Sequence, residues 1–130
     1  MARAKVKSKK NKLKIKLPIA RLTLHAGFNN SIVTLTTLEG KVVAWSSAGK
    51  MGFKGSRKST PFAAQKATEE ILNKLESTDT KAVHLEIKGA GQARDSFLRA
   101  IQATDLQIES IRDRTTFAFG GVQKPKRRRV

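Results

Sequence analysis

Charge is sorted along this chain, and the sorting limits what the chain can fold into. Of its 27 Lys and Arg residues, eight lie in residues 1–16 and six in residues 114–130, and neither segment holds an Asp or Glu. The two ends thus carry +14 of the formal +17. Stretches of like charge with few apolar residues cannot bury enough surface to offset their ordering entropy, so neither end is expected to join a core. The foldable part is the middle, where 13 basic residues face 10 acidic ones. About a hundred residues suffice for one domain around one core. The sequence therefore divides into a basic N-terminal tail (1–16), a body (17–113) and a basic C-terminal tail (114–130).

Several classes drop out early. With no cysteine there is no disulfide scaffold and no thiolate metal site, and the chain fits a reducing compartment. No apolar run approaches the roughly 18 residues of a membrane span. The N-terminal charge is not followed by the apolar stretch of a secretory signal, nor is it the Arg/Ser-rich pattern of a transit peptide. Cationic tails alone would also suit solubility, an acidic lipid surface or a nuclear address. A third basic cluster inside the body favours a nucleic acid, where bound cations release condensed counterions.

Within the body, periodicity sets the elements. Ile19–His25 alternates Ala20, Leu22 and Leu24 against Arg21, Thr23 and His25, a half-buried strand. Gly27-Phe28-Asn29-Asn30 is turn chemistry, Ser31–Leu38 reads as a second strand, Glu39-Gly40 as a tight turn and Lys41–Ser47 as a third strand. A long loop over 46–59 follows. Thr60 then caps a helix with Pro61 at its first position. Ala63, Ala64, Ala67, Ile71, Leu72 and Leu75 form its apolar stripe, with Glu69, Glu70 and Lys74 outward, and it ends near Ser77. Ala82–Ile87 is a strand with Val83, Leu85 and Ile87 inward. Gly89-Ala90-Gly91 breaks it, a helix runs from about Gln92 to Thr104, and Gln107–Arg112 is the last strand. The order β-β-β-α-β-α-β predicts an α/β domain with a mixed five-stranded sheet, two helices and parallel pairing across the strand–helix–strand steps.

The loop over 46–59 carries the most chemistry. Gly49, Gly52 and Gly55 let backbone approach a ligand; Lys50, Lys54, Arg57 and Lys58 bring charge; Ser46, Ser47, Ser56 and Ser59 bring hydroxyls. Phe53 offers a stacking face. The loop also leads into a helix N-terminus, which favours anions. Gly52-Phe53-Lys54-Gly55 matches a GXXG, but a strand precedes it where a KH domain has a helix. Gly55-Ser56-Arg57-Lys58-Ser59 breaks the G-K-[ST] spacing of a P-loop, which disfavours nucleotide hydrolysis. The junction Gly89-Ala90-Gly91-Gln92-Ala93-Arg94 suits a second phosphate contact with Lys88, Gly89, Gly91, Arg94 and Arg99, or a tight turn that needs glycine, or both.

His25 and His84 lie on outward strand faces without ligand partners, so neither a metal nor a cofactor is expected. Trp45 reads as a core or rim aromatic in preference to part of a ligand box. Phe117 and Phe119 either stack on nucleic acid or anchor the tail. Glu86, Glu109 and Asp113 lie on or beside strands, where Lys88, Arg112 or Arg114 would pair with them. They do not form the carboxylate cluster of a metal-dependent nuclease, so no catalysis is expected.

Three strings resemble one family. Phe28-Asn29-Asn30-Ser31-Ile32-Val33-Thr34-Leu35-Thr36, then Trp45-Ser46-Ser47-Ala48-Gly49, then Gly52–Gln65, together with the ending Lys126-Arg127-Arg128-Arg129-Val130, are similar to small-subunit ribosomal protein S-eleven of the bacterial and organellar type. The resemblance runs from Ile19 onward. It implies a ribonuclease-H-like body and a seat on the small-subunit platform, bridging ribosomal RNA helices near the messenger exit path and Shine–Dalgarno cleft. It also implies small-subunit proteins S-seven and S-eighteen as partners, initiation factor three nearby, and no membrane or homo-oligomer. The implied RNA-contacting positions are the Phe28, Asn29, Asn30 turn, the loop from Ser46 to Ser59, and the terminal Lys126, Arg127, Arg128 and Arg129; Lys124, in the same basic tail, is a further candidate.

Two stretches depart from the family pattern. GPGxGR becomes Gly89-Ala90-Gly91-Gln92-Ala93-Arg94, which suggests a looser or shifted turn. DVTPxPHNGCRPPK becomes Asp113–Lys126 without its His-Asn-Gly, so the tail's path over RNA is expected to differ. Such drift fits an organelle-encoded copy or a fast-evolving bacterium. The rival to a ribosomal protein is a free-standing RNA- or DNA-binding regulator.

Overall fold

The structure is a computed structural model that describes residues 15–130. The expected N-terminal tail lies outside the described residues except for Ile15 and Lys16. Five strands and two helices follow in the anticipated order: β1 (Ile19–Ala26), β2 (Ser31–Thr36), β3 (Val42–Ser47), α1 (Pro61–Glu76), β4 (Ala82–Lys88), α2 (Ala93–Gln102) and β5 (Gln107–Asp113). They form one mixed sheet in the order β3-β2-β1-β4-β5. β2 runs antiparallel to β1 and β3, while β4 is parallel to β1 and β5.

One sheet face is apolar because alternate residues along each strand are apolar. Leu22 and Leu24, Val33 and Leu35, Ala44, and Val83, Leu85 and Ile87 bury against Ala64, Ala67 and Ile71 of α1 and Ala93, Phe97 and Ile101 of α2. The helices pack on each other and share that face. Small residues at Ala64 and Ala67 let α1 approach the sheet closely. Thr60 caps α1 through its Oγ1, which accepts from the Ala63 amide at 3.4 Å.

Neither helix covers the opposite face. Across it runs a row in register, Trp45–Thr34–Thr23–Glu86–Arg112, one residue per strand. Glu86 on this face is buried, and Arg21 (3.5 Å) and Arg114 (3.4 Å) flank its carboxylate.

The loop after β3 is shorter than expected. Ser46 and Ser47 complete β3, and Gly55–Ser59 coils into a 3₁₀ turn. Between them residues 48–52 form hydrogen-bonded turns, with the Met51 amide on Ser47 O at 3.1 Å and the Phe53 amide on Ala48 O at 3.2 Å, and Thr60 turns back to Arg57 O at 3.3 Å.

Candidate nucleic-acid interface

Strand direction decides where the cationic segments meet. β1, β3, β4 and β5 all point the same way, so their carboxyl ends share one end of the sheet. From that end leave the Gly27–Asn30 turn, the 48–59 loop, the 89–92 turn and the C-terminal tail. Four segments far apart in sequence become one edge, the position where open α/β sheets place ligands.

The β1–β2 turn closes with the Gly27 amide donating to Asn30 O at 2.9 Å, and Asn30 Oδ1 accepts from the Ser31 amide at 2.9 Å. Its tip is left to solvent, with Phe28 79% exposed and Asn29 exposed.

In the next segment the serines and lysines divide their work. Ser46 is buried, and its hydroxyl donates to the Glu70 carboxylate on α1. Ser47 is buried too, and its Oγ accepts from the Lys50 amide at 3.1 Å. Both hydroxyls therefore serve the fold and do not point outward from a loop. Glu70 also pairs with Lys50 at 3.3 Å and Lys74 at 3.1 Å. Burial works to raise its pKa, but hydrogen bonds from Ser46, Lys74 and Lys50 prevail and hold it below the usual carboxylate value. Glu70 is thus a clamp between α1 and the loop, where an outward-facing residue was expected.

Lys54, Arg57 and Lys58 have no carboxylate partner among the described residues. Met51, Gly52, Phe53, Lys54 and Arg57 line a hollow of about 490 Å³. Gly49, Gly55 and Ser56 are exposed, and Ser59 donates to Ser56 O at 3.2 Å. The helix N-terminus contributes less than expected. Pro61 has no N–H, and the Ala63 and Ala64 amides are already taken by Thr60. Side-chain charge is therefore the main attraction for an anion. Phe53 stands edge-on to Phe62, centroids 5.9 Å apart, and Phe62 is the more exposed ring.

At the third segment, geometry explains the glycines. Gly89 has φ +99°, and a Cβ on it would lie 2.2 Å from Ala26 O. A Cβ on Gly91 would lie 2.5 Å from Gly27 O, and the Gly91 amide donates to Ala26 O at 3.0 Å. The turn, expected to be looser or shifted relative to the family pattern, packs directly on the end of β1. Arg94 donates to Gly89 O at 2.9 Å and reaches Asp113 Oδ2 at 2.7 Å. Lys88 is exposed beside it.

The tail starts from the same turn. Thr115 donates through its amide (3.0 Å) and hydroxyl (2.6 Å) to Asp113 Oδ1, and its Oγ1 accepts from the Gly89 amide at 3.2 Å. The Thr115 hydroxyl, with Arg94 and the Thr115 amide, holds the Asp113 carboxyl far below its ordinary pKa. The two stretches that depart from the family pattern thus touch each other. Residues 114–130, with Lys124, Lys126, Arg127, Arg128 and Arg129, form no helix or strand and are exposed. Phe117 and Phe119 pack on one another at 4.8 Å and stay largely exposed.

The carboxylate pairings differ from expectation in part. Glu86 does take Arg114, but adds Arg21; Glu109 lies 3.4 Å from His84 Nε2; Asp113 takes Arg94. Among the described residues no cluster of His, Cys, Asp or Glu could hold a metal, and no helix is long and apolar enough to cross a membrane. The residue sequence reasoning undervalued is Trp45, which is 50% exposed with Lys50 Nζ 5.0 Å from its ring centroid. Strict alternation could have found it: Ala44 and Ser46 are small and inward, so the residue between them must face out.

A family model described as Ribosomal protein S11 matches residues 20–129, which takes in every element of the body and nearly all of the C-terminal tail. Given that match, the mixed α/β sheet and the uncompensated cations at its carboxyl end, the chain belongs to the ribosomal protein S11 family and is a structural, rRNA-binding constituent of the small ribosomal subunit.

Proposed function

We propose that the carboxyl end of the sheet is the ribosomal RNA contact, with the C-terminal tail extending it. One observation carries this reading: four separate segments converge there, and Lys54, Arg57 and Lys58 among them have no carboxylate partner in the described residues. The mechanism is charge neutralisation and shape matching. Body and arms divide the task at residues 17–113, the body fixing the 48–59 loop and the 88–94 turn while the arms lie along crowded phosphates. Side chains cannot read the deep groove of A-form RNA, so specificity comes from RNA shape and unpaired elements. No chemical step is assigned to the chain.

The finer placement follows from the family resemblance. It puts the chain on the platform, bridging rRNA helices near the messenger exit path and Shine–Dalgarno cleft. Small-subunit proteins S-seven and S-eighteen are its neighbours, in a bacterial ribosome or in that of a plastid or mitochondrion. Sedimentation tests the reading. Tagged protein should travel with small subunits through a gradient at physiological salt; migration free of subunits would instead support a free-standing RNA-binding regulator. Chemical footprinting of subunits with and without the protein should then map its protections to the platform helices.

A further inference from the structure

We propose that Trp45 is a stacking site for an unpaired RNA base, set beside the phosphate-binding loop on the uncovered face of the sheet. The inference rests on the RNA reading above and adds a second kind of contact to it. The position is unusual for the residue. β3 is an edge strand, and its side chains facing the helices, Ala44 and Ser46, are buried, while Trp45 points the other way and is half exposed. A ring that large gains from burial, yet half of it stays in water, with Lys50 over the ring as its one aromatic-face contact among the described residues. Thr34 lies directly opposite and Ile32, also exposed, sits diagonally.

The surroundings select the occupant. Lys50 places its Nζ 5.0 Å from the ring centroid and donates to Trp45 O at 3.2 Å. The loop that supplies Lys50 also supplies Lys54, Arg57 and Lys58. The carboxylate that Lys50 reaches, Glu70, is already taken by Ser46, Lys50 and Lys74. A flat apolar surface with a lysine at its ring, on a loop whose further cations Lys54, Arg57 and Lys58 lack carboxylate partners among the described residues, matches a nucleotide: phosphate on the loop cations and base on the ring. Base faces inside a duplex are already stacked, so the ring discriminates for an unpaired base. The loop cations would bind either form.

Trp45 is the sole tryptophan, and the chain has no tyrosine, so its fluorescence reports on this site alone. The full chain is titrated with a short oligouridylate and, separately, with a blunt RNA duplex of equal length. Dye-labelled copies of each RNA measure affinity by anisotropy. The oligouridylate should quench Trp45 and shield it from acrylamide, while the duplex binds and leaves it accessible. Trp45→Leu should lose roughly fivefold or more in affinity for the oligouridylate, hold its affinity for the duplex, and be partly rescued by Trp45→Phe. Binding of the oligouridylate with Trp45 unquenched, equal shielding by both RNAs, or a Leu variant that binds both as before overturns the inference and leaves the RNA reading standing. If neither RNA binds, both are overturned. The wild-type fluorescence decides the matter even if a variant misfolds.

Discussion

Glu86 sits on the sheet face that neither helix covers, yet it is only 7% exposed. Its environment is made by two arginines from distant parts of the chain, Arg21 on β1 and Arg114 at the start of the tail. Removing the carboxylate leaves Arg21 Nε, already buried without a hydrogen bond, facing nothing. Glu86→Ala should therefore cost about 1–3 kcal/mol in denaturant unfolding, with Glu86→Gln costing less. A loss below the error of the measurement would mean the arginines find water instead. Gly91 is decided by space and not by φ. A methyl there meets Gly27 O at 2.5 Å, and backbone cannot yield as a side-chain end can. Gly91→Ala should lose about 1–3 kcal/mol, read by the same unfolding curves; an unchanged midpoint would show that the turn shifts freely.

At the scale of elements, the bond between α1 and the loop after β3 runs through Glu70. Its folded pKa lies below the ordinary 4.5. A carboxyl depressed on folding contributes stability that is present above the unfolded value and lost as pH falls through the folded one. Glu70→Gln should thus unfold more easily at pH 7, by on the order of 1 kcal/mol given its partial exposure. Its deficit against wild type should shrink as pH drops below about 4.5. Thermal melts at the two pH values check this, and a deficit independent of pH would place the effect in packing. Pro61 and the Thr60 cap take up backbone donors at the start of α1, so under the proposed RNA reading the loop's attraction would come from side-chain cations.

For the whole molecule, the salt dependence of RNA binding should split between two parts. Replacing Lys54, Arg57 and Lys58 with Ala should lower the slope of log affinity against log salt by up to about two to three units. Deleting the chain after Gln123, which removes five cations, should lower it by up to about four. Additive losses mean both parts contact phosphate; an unchanged slope for either removes that part from the interface. Alternation and helical spacing are local properties, so the sequence alone determined the element order, the inward faces of β1, β4 and α1, and the cationic segments themselves. Tertiary structure decided what those segments do together. Parallel pairing of β1, β4 and β5 brought their ends to one edge, the sheet buried Ser46 and Ser47 and turned Trp45 outward, and Arg94 and Thr115 locked the 89–94 turn to the root of the tail. Such contacts join residues distant in sequence, and no local pattern encodes which distant side chain will stand opposite.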